Sequence, residues 1–143
     1  MTLSKSQYIR GLQCHKSLWL YKHKPELRST PDKAQESLFN NGYSVGGAAK
    51  ELFAGGVEVV FDVDDFGGMI DKTKELVQSG CEIIYEATFK ENGIFAMADI
   101  LVKNGSGWDM YEVKASTGVK EYHLNDASVQ WYALSSAIKL NKA

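Results

Sequence analysis

Three side chains in the second half of the sequence have the chemistry to bind a metal ion together. Asp99 lies among apolar residues, and a single residue separates Glu112 from Lys114. Carboxylate oxygens are the ligands that Mg²⁺ prefers, and a bound divalent cation lowers the pKa of a water molecule and neutralises charge on a phosphate ester under attack. A neighbouring ammonium group such as Lys114 can orient that water or stabilise the transition state. These residue types indicate metal-assisted phosphate ester hydrolysis.

The spacing alone leaves a second interpretation open. In a strand, Glu112 and Lys114 share one face, as any exposed pair of opposite charges two residues apart does. An unpaired buried carboxylate at Asp99 is costly, and this cost favours a cation beside it. We therefore expect Asp99, Glu112 and Lys114 to form one cluster, and the pKa of Lys114 to be lowered where a divalent cation lies beside it.

Three stretches of strand character must position these residues. They cover residues 82–90, 94–102 and 108–114, and short glycine-containing segments of hairpin-turn composition separate them. The pattern predicts a three-stranded antiparallel meander in which Asp99 and Glu112 lie on adjacent strands.

Helical spacing is found on both sides of the predicted meander. Ser4 and Gln7 predict a capping box at the start of a first helix, and a second short helix follows it. Apolar and small residues recur at spacings of three and four over 36–53 and over 69–77, with a short strand over 57–61 between them. The last helix is expected to begin near Asn125 and to bury a stripe formed by Ala127, Trp131, Leu134 and Ile138.

Two consecutive glycines interrupt the helix predicted over residues 36–53. Glycine inside a helix costs about 1 kcal/mol relative to alanine. Gly46 and Gly47 should therefore allow the helix to approach a sheet or a ligand, and we expect close packing against the sheet.

Length and composition predict one folded domain over residues 1–143. The chain is 44% hydrophobic and 24% charged, which is ordinary for a globular protein. No stretch approaches the roughly 20 apolar residues that cross a bilayer, and the start lacks a secretory signal. We expect a cytoplasmic protein without a membrane partner, in which Cys14 and Cys81 are free thiols.

The charges are unevenly distributed along the chain. A net charge of −2 argues against a strongly basic nucleic-acid coat. Residues 1–28 hold six basic residues and one acid, whereas residues 29–112 hold fifteen acids and six lysines. The basic start either holds phosphates beside an acidic metal site or is a solvated helix face. No glycine-rich loop follows a strand, so a P-loop enzyme is not supported.

The order of these features resembles a superfamily of nucleases. An acid, a hairpin, Glu112-Val113-Lys114 and then a helix bearing Gln130 look like the PD-(D/E)XK nucleases, in particular the RecB-like branch that includes the CRISPR-associated exonuclease. An uncharacterised bacterial family in that branch, whose domain is normally the front part of a longer protein, is also similar to this sequence at residues 3–6, 11–14 and 18–20 and at Asp126 and Gln130. The resemblance implies an α/β (α+β) fold with a restriction-endonuclease-like core.

The resemblance also implies roles for individual residues. The metal ligands would be Asp99, Glu112, Val113 through its carbonyl group, and Glu86. The catalytic set would be Asp99, Glu112, Lys114 and Gln130, with Gln130 positioning the substrate. The cofactor would be Mg²⁺ or Mn²⁺ and the partner a nucleic acid, with DNA favoured while the sequence leaves DNA and RNA both open. Candidates for contacts to its backbone, chosen from their place beyond Lys114, are Ser116, Thr117, Lys120 and His123.

Two departures from the family pattern concern metal binding. The first helix of that branch often offers a histidine to the metal, and Gly46 stands in its place here. Relatives that bind an iron–sulfur cluster use four cysteines. Cys14 would be the first of them, but it has no partners near the end of the chain, so a cluster is not expected. In addition, the aromatic residue expected one turn after Gln130 is Leu134.

The superfamily core ends with a strand for which this sequence leaves few residues. We therefore expect the closing strand to be missing, the chain to be a fragment whose partners include the other domains of a longer protein, and the open sheet edge to favour a homodimer. Two functions stay open. One is a metal-dependent DNA exonuclease or endonuclease, favoured by the carboxylate cluster. The other is a catalytically inactive module that binds nucleic acid or a protein partner, favoured by the missing histidine and strand.

Overall fold

A computed structural model describes residues 2–28 and 33–143 of the chain. Its helices are α1 (Lys5–Gln13), α2 (His15–His23), α3 (Lys33–Leu52), α4 (Phe66–Gln78) and α5 (Glu121–Leu134). Its strands are β1 (Leu3–Ser4), β2 (Val57–Glu58), β3 (Ile83–Glu91), β4 (Ile94–Asn104), β5 (Gly107–Tyr111) and β6 (Leu140–Lys142). None of the helices in these two ranges has both the length and the apolar character needed to cross a membrane.

The strands form one sheet whose centre is the antiparallel meander that the sequence predicts. The neighbours run in the order β2-β3-β4-β5-β6, and β1 pairs with the first residues of β4. The pairs β3/β4 and β4/β5 are antiparallel, whereas β2 beside β3 and β6 beside β5 are parallel. The prediction of a mixed α/β domain with a meander, a further short strand and flanking helices is confirmed at this level.

The expectation of a missing closing strand is wrong. After α5 the chain returns to the sheet, and β6 pairs in parallel with β5, with Leu140 opposite Trp108. The backbone N–H of Trp108 donates to the carbonyl of Lys139 at 2.9 Å, and the Asn141 amide donates to the carbonyl of Asn104 at 2.9 Å. Because β6 covers the edge of β5, the argument for a homodimer through that edge no longer holds.

One buried apolar cluster joins the sheet to two helices. α4 packs on β3, and α5 packs on β3 and β4. Burying each large apolar side chain there stabilises the fold by roughly 1.5–3 kcal/mol. The fully buried members of this core include Ile84, Ala87, Ala98, Leu101, Ala133 and Leu134.

The extents of three elements differ from the sequence prediction, and one buried face is displaced. β5 ends at Tyr111, so its regular pairing stops before Glu112, and β2 covers only two of the five residues expected from 57–61. Helix α5 begins at Glu121, four residues early, and its buried face is displaced. Trp131 is only partly buried, because the buried face of α5 includes polar as well as apolar side chains and is not the apolar stripe predicted from the sequence. The buried residues of α5 are His123, Asp126, Val129, Gln130, Ala133 and Leu134.

The backbone of β3 departs from strand geometry at one residue. Glu86 has a φ of 55°, in the left-handed region, and lies opposite Asp99, between the pairs Tyr85–Ile100 and Ala87–Ala98. A residue with a Cβ atom pays roughly 1–2 kcal/mol for this conformation. Strained residues of this kind cluster at functional sites, so Glu86 makes this part of the sheet a candidate site.

The N-terminal residues are fixed by local and long-range contacts. The capping box is confirmed, since the Ser4 side chain accepts from the Gln7 backbone N–H and the Gln7 side chain accepts from the Ser4 N–H. Leu3 donates its backbone N–H to the carbonyl of Gly93 at 2.9 Å. α1 packs against α5 and β4. The side chain of Lys5, the first residue of α1, is thereby held near the sheet.

Candidate functional site

A cavity of about 420 Å³ lies beside the strained residue of β3. Glu86, Asp99 and Val113 line it on the sheet side, and glycines of α3 line it on the helix side. A Cβ atom added at any of these glycines would meet no atom within 4 Å. The expectation that they serve close packing is therefore wrong, because they leave open space in front of Asp99. The glycines are Gly42, Gly46 and Gly47.

Asp99 is a partly buried acid whose pKa is displaced far upward. Its Oδ2 accepts a hydrogen bond from the backbone N–H of Val113 at 2.6 Å. Burial and the nearby charge of Glu112 raise the pKa of Asp99 to about 7, although the Val113 bond works in the opposite direction. At neutral pH the carboxyl group is thus close to half protonated, and a cation in the cavity would favour its ionised form.

Glu86 faces the same cavity and forms an ion pair with Lys50. Lys50 of α3 places its Nζ 3.5 Å from Glu86 and 2.9 Å from Glu58. Burial raises the pKa of Glu86, and the charge of Lys50 offsets only part of that effect. Glu86 and Asp99 are therefore two partly desolvated carboxylic acids that share one space.

Glu112 is fully paired. Its Oε1 lies 2.9 Å from Lys5 Nζ and 2.5 Å from Lys114 Nζ, and its Oε2 accepts from Gln130 Nε2 at 2.6 Å. Burial alone would raise the pKa of Glu112, but these cations and hydrogen bonds outweigh it and lower the pKa to about 2. Glu112 is therefore ionised at neutral pH.

Asp126 completes an ion-pair network, defined here as Lys5, Glu112, Lys114 and Asp126. Its Oδ2 lies 2.6 Å from Lys114 Nζ and its Oδ1 lies 3.5 Å from Lys5 Nζ. Burial lowers the pKa of Lys114, but hydrogen bonds to Asp126 and Glu112 outweigh burial and raise it. Without a cation the shift is therefore opposite to the one expected beside a metal, and Lys114 is a fixed positive charge.

Sequence reasoning did not assign Lys5 or Asp126 to the site. Asp126 precedes Gln130 by four residues on α5, so the two share a helix face, and that spacing was an available signal. Lys5 lies 107 positions from Glu112. The sequence offered no local pattern that could have brought it there.

Gln130 is completely buried and only half satisfied. Its Nε2 donates to Glu112 and to the backbone carbonyl of Asp126 at 3.4 Å. Its Oε1 has no hydrogen-bond partner among the described residues. A buried acceptor without a partner costs roughly 1–3 kcal/mol. The interior beside Glu112 thus holds one acceptor without a partner in the described part of the chain.

The acids fit a hard cation in part. Within residues 2–28 and 33–143, no three acidic, histidine or cysteine side chains converge closely enough to form a metal site. Asp99, Glu86 and Val113 nevertheless line one cavity, and carboxylate and carbonyl oxygens suit Mg²⁺ or Mn²⁺. Glu112 would join them only by loosening its contacts to the lysines.

The four residues expected to contact a nucleic-acid backbone all lie near Lys114. Ser116, Thr117 and His123 share a groove with Lys114 and Glu112, and Ser116, Lys120 and His123 also line a second cavity. Lys120 immediately precedes α5, and His123 lies within its first turn rather than in the loop before it. Their contact with a nucleic-acid backbone stays a prediction from the sequence.

Comparison of the chain with known protein families, with curated proteins and with solved structures finds no match. The residues of this domain and their geometry are therefore the basis for the function proposed below.

Proposed function

We propose that this chain is a nuclease domain that hydrolyses phosphodiester bonds of DNA with Mg²⁺ or Mn²⁺. The observation that carries the proposal is Asp99, a partly buried carboxyl group with a pKa of about 7. It faces a cavity shared with Glu86 and lies close enough to Glu112 for that charge to raise its pKa. Buried acids with pKa values displaced by neighbouring charge cluster at catalytic sites.

The proposed metal ligands are the carboxylates of Asp99, Glu112 and Glu86 and the carbonyl group of Val113. A bound divalent cation supplies a water of lowered pKa and neutralises charge on the phosphate. Lys114, held by Glu112 and Asp126, carries a permanent positive charge toward the substrate phosphate.

Gln130 is assigned a positioning role in this proposal. Its amide holds the Oε2 of Glu112 at 2.6 Å, while its own Oε1 is left without a partner in the described part of the chain. Gln130 therefore fixes the orientation of a proposed ligand and keeps one acceptor available within the site. The choice between exonuclease and endonuclease, and the place of the domain in a longer protein, stay predictions from the sequence.

A specific observation favours the second candidate, a module that binds nucleic acid or a protein partner without cleaving. Glu112 already has two cations and an amide as partners, and no group of three metal-binding side chains is found in the described residues. Gly46 also stands where a metal-binding histidine was expected. A carboxylate whose charge is already neutralised by lysines gains less free energy from binding a metal ion.

Calorimetric titration with Mn²⁺ tests the proposal before the substrate is known. The wild-type chain should bind Mn²⁺, and Asp99→Asn and Glu112→Gln should each weaken binding by tenfold or more. Asp71→Asn and Glu75→Gln are matched controls, because both acids are exposed on α4. If the site variants bind Mn²⁺ as the controls do, the proposed ligands are wrong.

Cleavage assays separate the two candidate functions. A nuclease cuts end-labelled DNA in Mn²⁺, and Lys114→Met abolishes cutting while Mn²⁺ binding remains measurable. Mn²⁺ binding without cutting of single- or double-stranded DNA would move the conclusion to the inactive module.

A further inference from the structure

A cavity of about 540 Å³ lies between α1 and the start of α5. Three lysines from three separate segments line it, namely Lys5, Lys114 and Lys120. Asp126 is the one acid among the described lining residues, and Glu112 contacts Lys5 and Lys114 from the other side. The two acids leave one lysine charge unbalanced, which favours an anion in this cavity.

His123 adds a hydrogen-bond donor to the same cavity. Its Nδ1 accepts from the backbone N–H of Lys120 at 3.2 Å, so in the neutral ring the proton resides on Nε2. The residue is 9% exposed, and Nε2 forms no hydrogen bond within residues 2–28 and 33–143. Nε2 is not among the buried atoms that lack a partner, so it is reached by solvent from the cavity, and an anion oxygen there is a suitable acceptor for its N–H group.

The far side of His123 opens onto a groove of about 760 Å³ with a different character. Lys114, Ser116 and His123 belong to both spaces, so the groove and the cationic cavity adjoin. The other groove residues are largely apolar, and Trp131 offers a partly buried aromatic ring. The apolar lining comprises Met110, Val119, Leu124, Ala127 and Trp131.

We propose that the cavity and the groove together form a nucleotide subsite, with the phosphate group beside Lys120 and His123 and the base on Trp131. A phosphate joined to a flat, weakly polar ring matches a cationic cavity joined to an apolar, aromatic groove. This proposal rests on the proposed nuclease function. The nucleotide would be part of the DNA strand that reaches Asp99, and its base would be unstacked from the neighbouring bases. Nucleotide binding itself requires no metal.

The test is a calorimetric titration of the chain with deoxyadenosine monophosphate (dAMP) in EDTA, beside inorganic phosphate and deoxyadenosine. We expect dAMP to bind at least tenfold more tightly than either half alone. Trp131→Ala should reduce dAMP affinity about tenfold and leave phosphate binding unchanged, since base–aromatic stacking contributes on that order. Lys120→Gln should weaken both dAMP and phosphate binding.

Matched controls make each outcome decisive. Trp19→Ala and Lys139→Gln alter an exposed tryptophan and an exposed lysine outside both spaces, and they should bind dAMP normally. Trp131→Phe keeps a ring and should retain most of the affinity, which guards against a folding defect in Trp131→Ala.

Three results would overturn the subsite: no dAMP binding, equal affinity for dAMP and phosphate, or unchanged dAMP affinity in Trp131→Ala. Asp99→Asn, titrated with dAMP in EDTA, should bind normally. A failure of the metal site and a failure of the nucleotide subsite are therefore distinguishable.

Discussion

Replacing Asp99 by asparagine separates the charge of the site from its shape. Asparagine keeps the size of the side chain and an oxygen that can accept from the Val113 N–H, which lies 2.6 Å from Asp99 Oδ2. In the wild-type protein, burial raises the pKa of Asp99 from 3.8 to about 7. The folded state thus holds this proton more tightly than the unfolded chain does. The contribution of Asp99 to stability is therefore greatest below pH 4, falls between pH 4 and pH 7, and is constant above.

The size of the effect follows from the two pKa values. Between them, each pH unit removes about 1.4 kcal/mol of unfolding free energy. From pH 5 to pH 8 the wild-type protein crosses roughly two such units, or about 2.7 kcal/mol. Asp99 is not completely buried, so solvent screening reduces this to about 2 kcal/mol. The Asp99→Asn variant has no carboxyl proton to lose at this position. Its unfolding free energy should therefore rise by about 2 kcal/mol relative to that of the wild-type protein between pH 5 and pH 8.

Urea denaturation in EDTA at pH 5 and pH 8 measures the difference directly. Subtracting wild type from variant at each pH cancels the titration of groups that the two proteins share. The exposed Asp71→Asn provides the control and should show no pH-dependent difference. In a separate denaturation at pH 8 without EDTA, Mn²⁺ should stabilise the wild-type protein and have a much smaller effect on Asp99→Asn. A difference between wild type and Asp99→Asn that is the same at both pH values would refute the buried, proton-binding role of Asp99.

Three further predictions concern stability. Lys5→Met removes a cation that holds the pKa of Glu112 near 2, so it should cost about 1–2 kcal/mol at pH 7. Because the Glu112 contribution is present above pH 4.5 and lost toward pH 2, that difference should vanish on acid titration followed by circular dichroism. Gly46→Ala should raise the unfolding free energy by about 0.5–1 kcal/mol in urea, since its Cβ atom enters open space in a helix. Glu86→Gly should be more stable than Glu86→Ala by about 1 kcal/mol, because only glycine relieves the strain of a φ of 55°; equal stability would contradict this.

Local sequence patterns predicted those parts of the fold that depend on interactions between residues close together in the chain. The capping box of Ser4 and Gln7 involves residues three apart, and the strands of the meander alternate or are continuously apolar over several residues. Hairpins between them fix the order of the strands. That strand order predicted that Asp99 lies beside the segment that contains Glu112.

Long-range pairing determined what sequence reasoning missed. β6 has three residues, too few for a periodic pattern, and it is placed by pairing with a strand more than thirty residues earlier. Lys5 reaches Glu112 only because β1 joins β4 and α1 packs on α5. The buried face of α5 was misplaced for a different reason, because Asp126 and Gln130 are buried polar residues that an apolar periodicity omits.

The ion-pair network of Lys5, Glu112, Lys114 and Asp126 has a consequence for the biosynthesis of the domain. Its acids reach the folded state with their counter-ions already supplied by the same chain. A zinc finger, in contrast, waits unfolded for its metal because binding supplies the folding free energy. Under the proposed function, folding and metal binding would be separate events, so the domain could fold in metal-poor surroundings. The lysines would then set a threshold metal concentration, since an arriving cation would have to displace a charge that is already in place.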